Sequence, residues 1–279
     1  MKQMMPSKEI FAILGGLDGD VGLYVEDTET GETLTVNPGR VFPSASVIKL
    51  PLLSLLLADG RDGRVDLERP LVVAPQNRVG GTGILRELPE NLPLPLSALA
   101  KLMVVLSDNV ATNTIIDVVG MERVDEHCRE HGLCDTSLQR KMMDFDAIAK
   151  GRNNFTTAGD IGKMLSALAR GEWITPEISF TILDYMAGQQ LRGKLPALLP
   201  ASPVEVPMKD RPTPPPGRVC VAHKTGDLDR IQHDVGVFIL PDGRCYVIAM
   251  LTGNLSDDRA GIAAIGEVSL AIYRALSQN

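Results

Sequence analysis

Stretches in which apolar and polar residues alternate lie near both ends of the chain. Residues 20–26 and 32–37 alternate in this way and flank the polar turn 27–31, which predicts a β-hairpin. Pro241-Asp242-Gly243 marks a second tight turn. We expect strands from the two ends of the chain to meet in one antiparallel sheet. The strand-like stretches of the second half are 218–225, 233–240 and 244–252.

Longer stretches with helical spacing fill the region between these strands. The run 46–58 is strongly apolar, and its length favours a buried helix that closes at Asp59-Gly60. Pro51 lies within the first two turns of that helix, where a proline costs less. Further helices are predicted at 6–16, 97–106, 110–119, 121–131, 158–170 and 258–276.

These elements predict an α+β fold with two lobes. Residues 1–45 and 218–279 would form an α/β lobe, a three-layer α/β/α sandwich with an antiparallel sheet, and residues 46–200 a mostly helical, all-α lobe. Residues 201–217 contain six prolines, so we expect an irregular surface loop there. A cleft between the lobes is the expected place for a site.

Composition and charge narrow the classes of partner. The 279 residues carry a net charge of −7, which argues against a nucleic acid or an anionic membrane as the partner. No apolar run reaches the roughly 18 residues that a membrane span needs. The first residues lack the apolar region of a secretory signal, so the compartment stays open between the cytoplasm and export with a leader removed. Four cysteines indicate reduced thiols more than a disulfide framework, although a Cys128–Cys134 bridge is conceivable.

Ser46 and Lys49 form the first candidate catalytic pair. If a helix begins near Ser46, the two residues lie one turn apart on one face. A serine hydroxyl is a weak nucleophile unless a base takes its proton. A lysine packed against Leu50, Leu52 and Leu53 would lose solvation, which lowers the pKa of its ammonium and lets it act as that base. Taken alone, this spacing is common and carries little weight.

A second candidate motif, Ser107-Asp108-Asn109, lies between two predicted helices. Its hydroxyl could relay a proton to a leaving nitrogen, and its carboxamide could hold a substrate amide. The same three residue types are also preferred helix N-caps. Judged alone, the motif favours the cap.

The third candidate motif, His223-Lys224-Thr225-Gly226, ends a predicted strand. A lysine ammonium and a threonine hydroxyl suit a substrate carboxylate. The glycine allows a ligand to approach the strand edge closely. A plain strand end with a turn glycine is the alternative.

Together, the three motifs resemble the S-x-x-K, S-D-N and K-T-G signature of the active-site-serine penicillin-recognising enzymes, and class A β-lactamases most closely. The similarity runs over nearly the whole chain. It includes FPSASVIKLPLL, LSDNVATNTII, TTAGDIGKML and AHKTGDLDRIQHDVGVFILPDGR. The resemblance implies a β-lactamase/transpeptidase-like fold and a serine β-lactamase that works through an acyl-enzyme without a cofactor.

By this resemblance, Ser46 is the acylated nucleophile and Lys49 its general base or proton shuttle. Ser107 would protonate the leaving nitrogen, and Asn109 would orient the acyl-amide side chain. The backbone N–H groups of Ser46 and Asp227 would form the oxyanion hole. The expected substrate-binding residues are Asn109, Lys224, Thr225, Gly226, Asp227 and Arg230. Lys224 and Thr225 would hold the carboxylate, while Arg230 is either a second cation for it or a solvated surface charge.

One element of the family pattern is missing. Class A β-lactamases carry an omega-loop glutamate in Glu-x-x-Leu-Asn that activates the deacylating water, and its place here falls near Met142 or Met143. Asp144 and Asp146 are the nearest carboxylates. Either Asp144 replaces the glutamate as a catalytic base, or it caps a turn and deacylation is slow. Slow deacylation would indicate a penicillin-binding protein, a D-Ala-D-Ala carboxypeptidase or an esterase-type hydrolase.

A rival motif lies at 127–131, where His-Cys-Arg-Glu-His matches the H-x-x-E-H pattern of inverted zinc peptidases. Two histidines at i and i+4 could bind zinc, with Glu130 as base. The segment is strongly charged, and no downstream helix offers a convincing third ligand. We therefore expect an exposed helix face that ends at Gly132 and no metal.

Overall fold

A computed structural model describes residues 5–277 of the chain. It contains ten strands among these residues, six of them in one sheet in the order β2-β1-β10-β9-β8-β7, in which only β7 and β8 run parallel. Two small sheets, β3 with β6 and β4 with β5, lie outside it. The strands are β1 Asp20–Asp27, β2 Thr33–Val36, β3 Val41–Pro43, β4 Pro70–Val72, β5 Pro93–Pro95, β6 Phe155–Thr157, β7 Ala201–Ser202, β8 Val219–Leu228, β9 Ile231–Ile239 and β10 Cys245–Gly253.

Nine α-helices are found in the described part of the chain. They are α1 Ser7–Gly15, α2 Lys49–Arg61, α3 Leu96–Val105, α4 Asn109–Val119, α5 Met121–Glu130, α6 Phe145–Ala149, α7 Ala158–Arg170, α8 Pro176–Ala187 and α9 Asp258–Ser277. The four cysteines are free.

The hairpin between β1 and β2 shows how the local sequence fixes the sheet. Asp27 accepts hydrogen bonds from the backbone N–H groups of Glu29 (3.0 Å) and Thr30 (3.2 Å). Gly31 then takes a φ of 70°, a conformation that glycine adopts without strain. This turn sets the antiparallel register of β2 against β1, and β1 pairs with β10 from the other end of the chain.

The sheet is buried on both faces, which makes the fold three-layered. Along β10, Ile248 packs against α1 and α9, whereas its neighbour Val247 packs against the helices on the opposite face, because successive strand residues point to opposite sides. Ile265 and Ile272 of α9 are fully buried in the first of these cores. The predicted α+β architecture with an antiparallel-rich sheet is confirmed.

One described helix, α9, is long and apolar enough by length and composition to cross a membrane. It packs on the sheet, and 56% of its most apolar window is buried inside the protein. A core helix of a globular domain meets the same criteria of length and composition.

Two sequence predictions differ from the structure, and one helix was missed. The proline-rich segment is not wholly irregular, because Ala201–Ser202 form β7 against Val219 and Cys220, and 208–210 form a 3₁₀ turn. Helix α8 was not predicted at all. The predicted helix 46–58 begins as a 3₁₀ turn over Ala45–Ile48 and becomes α-helical only at Lys49.

Candidate active site

Ser46 lies in the 3₁₀ turn that precedes α2. Ala45, just before it, takes a φ of 46°, an unusual conformation for a residue with a side chain. The turn is held on one side by the Ser44 N–H, which donates to the carbonyl of Asn154 at 2.8 Å. On the other side is Gly226 of β8, where a Cβ would come within 3.1 Å of the Ala45 Cβ. This glycine serves the packing of the strand against the serine turn, in addition to any approach of a ligand.

Lys49 is fully buried and points its amine at the second motif. Its Nζ lies 2.6 Å from the carbonyl oxygen of Ser107, 2.9 Å from Oδ1 of Asn109 and 3.0 Å from the hydroxyl of Ser107. The structure thus brings the first and second predicted motifs together across the cavity.

Lys224 reaches the same hydroxyl from the third motif. Its Nζ donates to Ser107 Oγ at 3.0 Å and to the carbonyl of Thr225 at 2.8 Å. Two buried amines, from α2 and from β8, therefore meet at one serine oxygen. Because Ser107 has a φ of 55°, its loop presents both its side chain and its carbonyl to this point.

Burial changes the pKa of both amines. Burial, followed by repulsion from Lys224, lowers the pKa of Lys49 well below its usual value. Burial lowers the pKa of Lys224 to about 7, with partial compensation by Asp227 and Asp234. A neutral Lys49 has two N–H bonds for the oxygens of Ser107 and Asn109 and one lone pair for a hydroxyl proton. The contacts of Lys49 therefore suit a general base.

Asp108, the middle residue of the second motif, explains how the motif is oriented. Asp108 is the N-cap of α4, where its side chain accepts from Ala111 N at 2.9 Å, and its other oxygen accepts from the N–H groups of Ile84 and Leu85. The cap interpretation is therefore right for Asp108, while its two neighbours face the cavity. The carboxamide of Asn109 also donates to Gly80 at 3.1 Å.

A lysine that the sequence analysis missed supports the end of β8. Lys194, which is 5% exposed, donates to the carbonyls of Gly226 and His233 at 3.1 Å and to the carboxylate of Asp227 at 2.7 Å. It lies in a loop 30 residues before the third motif, and no local pattern points to it. These contacts hold Asp227, whose backbone N–H was predicted to form part of the oxyanion hole.

Two substrate-binding predictions receive different support. Thr225 is buried, and its hydroxyl has no hydrogen-bond partner among residues 5–277. Arg230 lies in the turn between β8 and β9, where its guanidinium donates to the carbonyls of Leu255 (2.9 Å) and Asn254 (3.2 Å). Arg230 is exposed, and neither Arg230 nor Thr225 is among the residues that line the cavity.

The omega-loop segment presents methionines to the cavity. Met142 is clamped by Asn113, which accepts from its N–H at 2.7 Å and donates to its carbonyl at 3.2 Å. Asp144 is the N-cap of α6 and accepts from Ala147 N at 2.9 Å. Asp146 is exposed. Asp144, the predicted base, is not among the residues that line the cavity, and one of its two carboxylate oxygens caps α6.

The resulting cavity is small, about 140 Å³. Two surface clefts of about 520 Å³ lie elsewhere, and neither contains a predicted site residue. We place the candidate site in the smaller cavity, because Ser46 and Ser107 both line it and the two buried amines meet at the hydroxyl of Ser107. Its lining residues are Ala45, Ser46, Gly81, Thr82, Ser107, Asn109, Arg140, Met142, Met143, Asp227 and Leu228.

The histidine motif at the end of α5 also differs from expectation. His127 is only 5% exposed, so the prediction of an exposed helix face is wrong for this residue. His131 is partly exposed and Glu130 is exposed. The three side chains lie together and apart from the active-site cavity.

The fold and this set of side chains define a serine hydrolase: a serine at the start of a buried helix, a desolvated amine one turn later, and a second serine between two amines. The family model of the beta-lactamase enzyme family matches residues 5–276. This chain belongs to that family.

Individual relatives agree with this assignment. The chain is 25% identical to the extended-spectrum beta-lactamase PER-1 of Pseudomonas aeruginosa, over 96% of this chain and 86% of that protein. It superposes on a beta-lactamase from Sphaerobacter thermophilus with a TM-score of 0.82, at 28% identity over 99% of this chain and 98% of the other. It also superposes on a point variant of PBP-A, determined as an acyl-enzyme complex with penicillin G, with a TM-score of 0.84 at 28% identity over 98% and 96% of the two chains.

Proposed function

The protein is a serine hydrolase of the β-lactamase type, and we propose that Ser46 is the residue that attacks the β-lactam carbonyl and becomes acylated. The observation that carries this proposal is the meeting of Lys49 and Lys224 at Ser107 Oγ, 3.0 Å from each amine, in the cavity that Ser46 lines. The arrangement provides a nucleophile, a base and a proton donor for the leaving nitrogen.

The proton of Ser46 would pass first to Lys49, whose hydrogen bond to the hydroxyl of Ser107 would carry it onward. The neutral amine of Lys49 accepts the proton of Ser46 as the serine oxygen bonds to the substrate carbonyl. The proton then passes to the lactam nitrogen through the hydroxyl of Ser107, as the carbon–nitrogen bond breaks. Lys224, when protonated, keeps the Ser107 oxygen polarised toward donation and attracts the substrate carboxylate together with Thr225.

The developing oxyanion would be stabilised by the backbone N–H groups of Ser46 and Asp227. The packing of Gly226 against the serine turn and the three hydrogen bonds of Lys194 support this pair, because they tie β8 to its surroundings at the point where Asp227 leaves the strand. Asn109 retains the proposed role of orienting the acyl-amide group from the cavity wall.

The second half of the reaction is hydrolysis of the acyl-enzyme, and the cavity offers fewer suitable groups for it. Among the residues that line the cavity, Asp227 is the only carboxylate, and it is paired with Lys194. Met142 and Met143 line the wall where the sequence comparison places the missing glutamate. We propose that hydrolysis of the acyl-enzyme is therefore slow, which makes penicillin binding or a peptidase-like or esterase-like activity the second candidate function.

The proposed partner is a small molecule, with no nucleic acid and no membrane span. The net charge of −7 disfavours a polyanion, and the packing of α9 in the sheet core supports a structural role for that helix. No cofactor takes part in the proposed steps.

A single incubation tests both halves of the proposal. A chromogenic cephalosporin is mixed with the protein, absorbance is followed in a stopped-flow instrument, and intact mass is measured at intervals. We expect a burst of one equivalent, one covalent adduct on the peptide that contains Ser46, and slow turnover afterwards. Absence of an adduct and of turnover would contradict serine acylation, whereas fast multiple turnover without accumulated adduct would contradict slow deacylation only.

A further inference from the structure

Three side chains that can bind a transition metal come together at the end of α5, and the acyl-transfer chemistry uses none of them. One ligand atom each from His127, Glu130 and His131 lies within 4.8 Å of the others. Ligands around a tetrahedral ion with bonds of about 2.0–2.1 Å are about 3.4 Å apart, so small side-chain rotations close the site. The two imidazole rings already lie with their centroids 4.3 Å apart.

The hydrogen bonds of His131 leave a lone pair free. Its Nδ1 lies 2.9 Å from the backbone carbonyl of His127, and a carbonyl can only accept, so Nδ1 carries the proton. Nε2 of His131 is then the unprotonated nitrogen that a metal ion requires. A hydrogen bond from one ring nitrogen to a backbone carbonyl is the usual means by which a protein orients a metal-binding histidine.

His127 is held from its other side by α2. Its Nε2 lies 2.8 Å from Ser54 Oγ, and the same oxygen accepts from the indole N–H of Trp173 at 2.6 Å. This contact allows two tautomers of His127, and the one that binds a metal is that in which Nε2–H donates to Ser54 and Nδ1 keeps a free lone pair. This buried chain of Trp173, Ser54 and His127 fixes the ring before any ion binds, which lowers the entropic cost of binding.

The charges of the surrounding cleft do not exclude a cation. The cleft measures about 390 Å³ and contains three arginines. Each is paired with a carboxylate: Arg61 with Asp62 at 2.6 Å, Arg64 with Asp59 at 2.6 Å, and Arg123 with Asp59 at 2.5 Å. The carboxylate of Glu130 forms no ion pair within residues 5–277.

We propose that His127, Glu130 and His131 bind a divalent transition-metal ion of the Zn²⁺ or Ni²⁺ type. Two imidazoles and one carboxylate are the donor set that such ions prefer, and the open cleft leaves a fourth position for water. The site is separate from the acylation machinery, because its cleft and the active-site cavity have no lining residue in common. A bound ion fastens the end of α5 to α2 through the contact between His127 and Ser54. This proposal replaces the expectation of no metal, and it does not depend on the function of Ser46.

The one tryptophan of the chain provides a direct readout. The ring of Trp173 lies 5.3 Å from that of His131, and the chain contains no other tryptophan. Paramagnetic Ni²⁺ bound at Nε2 of His131 should therefore quench the indole fluorescence. The protein is used without an affinity tag and with Cys134→Ser, because Cys134 is an exposed thiol three residues after His131.

We expect Ni²⁺ to quench Trp173 in a saturable manner at micromolar concentration, and diamagnetic Zn²⁺ to restore the fluorescence by competition. Glu130→Gln should weaken Ni²⁺ binding about tenfold, since it removes one charged ligand from an exposed position that does not affect folding. Glu122→Gln, an exposed glutamate in the first turn of the same helix, is the matched control and should leave binding unchanged. Quenching that does not saturate below about 1 mM, quenching that Zn²⁺ does not reverse, or equal effects of the two variants would each overturn the proposal.

Discussion

The two sides of the active-site cavity differ in how many of the groups needed for acylation and deacylation they provide. On the side of α2 and β8, two buried amines meet at the hydroxyl of Ser107, in the cavity that Ser46 also lines, and each of these groups has a role in the proposed acylation. On the opposite side, the omega-loop segment offers methionines where a water-activating carboxylate would be needed. Formation and hydrolysis of an acyl-enzyme therefore place separate demands on a structure, and this chain meets the first more fully than the second.

The largest expected effect comes from removing the nucleophile. Ser46→Ala should lower the rate of acylation by about 10⁴-fold or more, because the attacking oxygen is lost while the rest of the cavity stays in place. The measurement is adduct formation with a chromogenic cephalosporin, followed by intact mass. Ser44→Ala, two residues away in the same chain segment, is the control and should remain reactive. An adduct of normal rate and mass in Ser46→Ala would show that another residue is acylated.

A substitution can supply the carboxylate that the methionine side of the cavity lacks. Met142→Glu should increase the rate of acyl-enzyme hydrolysis about 10²-fold with little change in acylation, because a carboxylate on the cavity wall can activate water. Asn113 holds the backbone of residue 142 and should present the new side chain in the same place. Met142→Gln has the same size and no charge, so it separates base catalysis from altered packing. Equal deacylation rates in the two variants would refute the assignment of this position.

The pH dependence of the acylation rate tests the roles of the two buried amines. The second-order rate constant for acylation should rise as pH increases through the lowered pKa of Lys49, because only the neutral amine is a base. It should fall as pH increases through the pKa of Lys224, about 7, because deprotonation removes the charge that binds the carboxylate. Above that pH the decline should approach tenfold per unit.

Lys224→Arg provides the control for this profile. A guanidinium stays protonated throughout the range, so the alkaline decline should move above pH 9 even if the maximal rate is lower. If the decline remains near pH 7 in this variant, another group causes it.

The smallest effect is expected at Asp144. As a helix N-cap, it should tolerate Asp144→Asn without loss of stability, while Asp144→Ala should cost about 1 kcal/mol in the free energy of unfolding. Denaturant unfolding measures both. If Asp144 were instead the base for deacylation, Asp144→Asn would slow hydrolysis of the acyl-enzyme relative to the parent, so the same two proteins decide between the roles.

Much of the fold could be predicted from the spacing of apolar residues along the sequence. The end strands, the terminal helices and α7 appear close to their predicted positions, because each has an uninterrupted pattern and clear turn residues. Helix α8 was missed although the sequence carries a signal for it. Thr175 and Pro176 are typical of a helix start, and Ile178, Ile182 and Met186 follow at helical spacing. Strand β7 escaped because two residues are too short to form a pattern, and its pairing with β8 is decided by tertiary contacts.

The order of the motifs predicted that Lys49, Ser107 and Lys224 would lie together, but it did not predict the geometry of the site. The positive φ of Ala45 and of Ser107 has no signal in residue type, since both depend on the packing around them. Lys194 was missed for a related reason, because its partners lie on β8 and β9, far along the chain. The burial of His127 likewise comes from α2 and Trp173, which no reading of α5 alone could supply.

The proline-rich segment has a consequence for how this protein behaves at high concentration. Within the described residues, the outer edge of β8 is paired only at Val219 and Cys220, by β7. An open strand edge can recruit the edge of another molecule, and prolines obstruct such pairing because they lack an N–H group. The six prolines after β7 thus shield the start of this edge against self-association, while Asp227, near its other end, lines the active-site cavity.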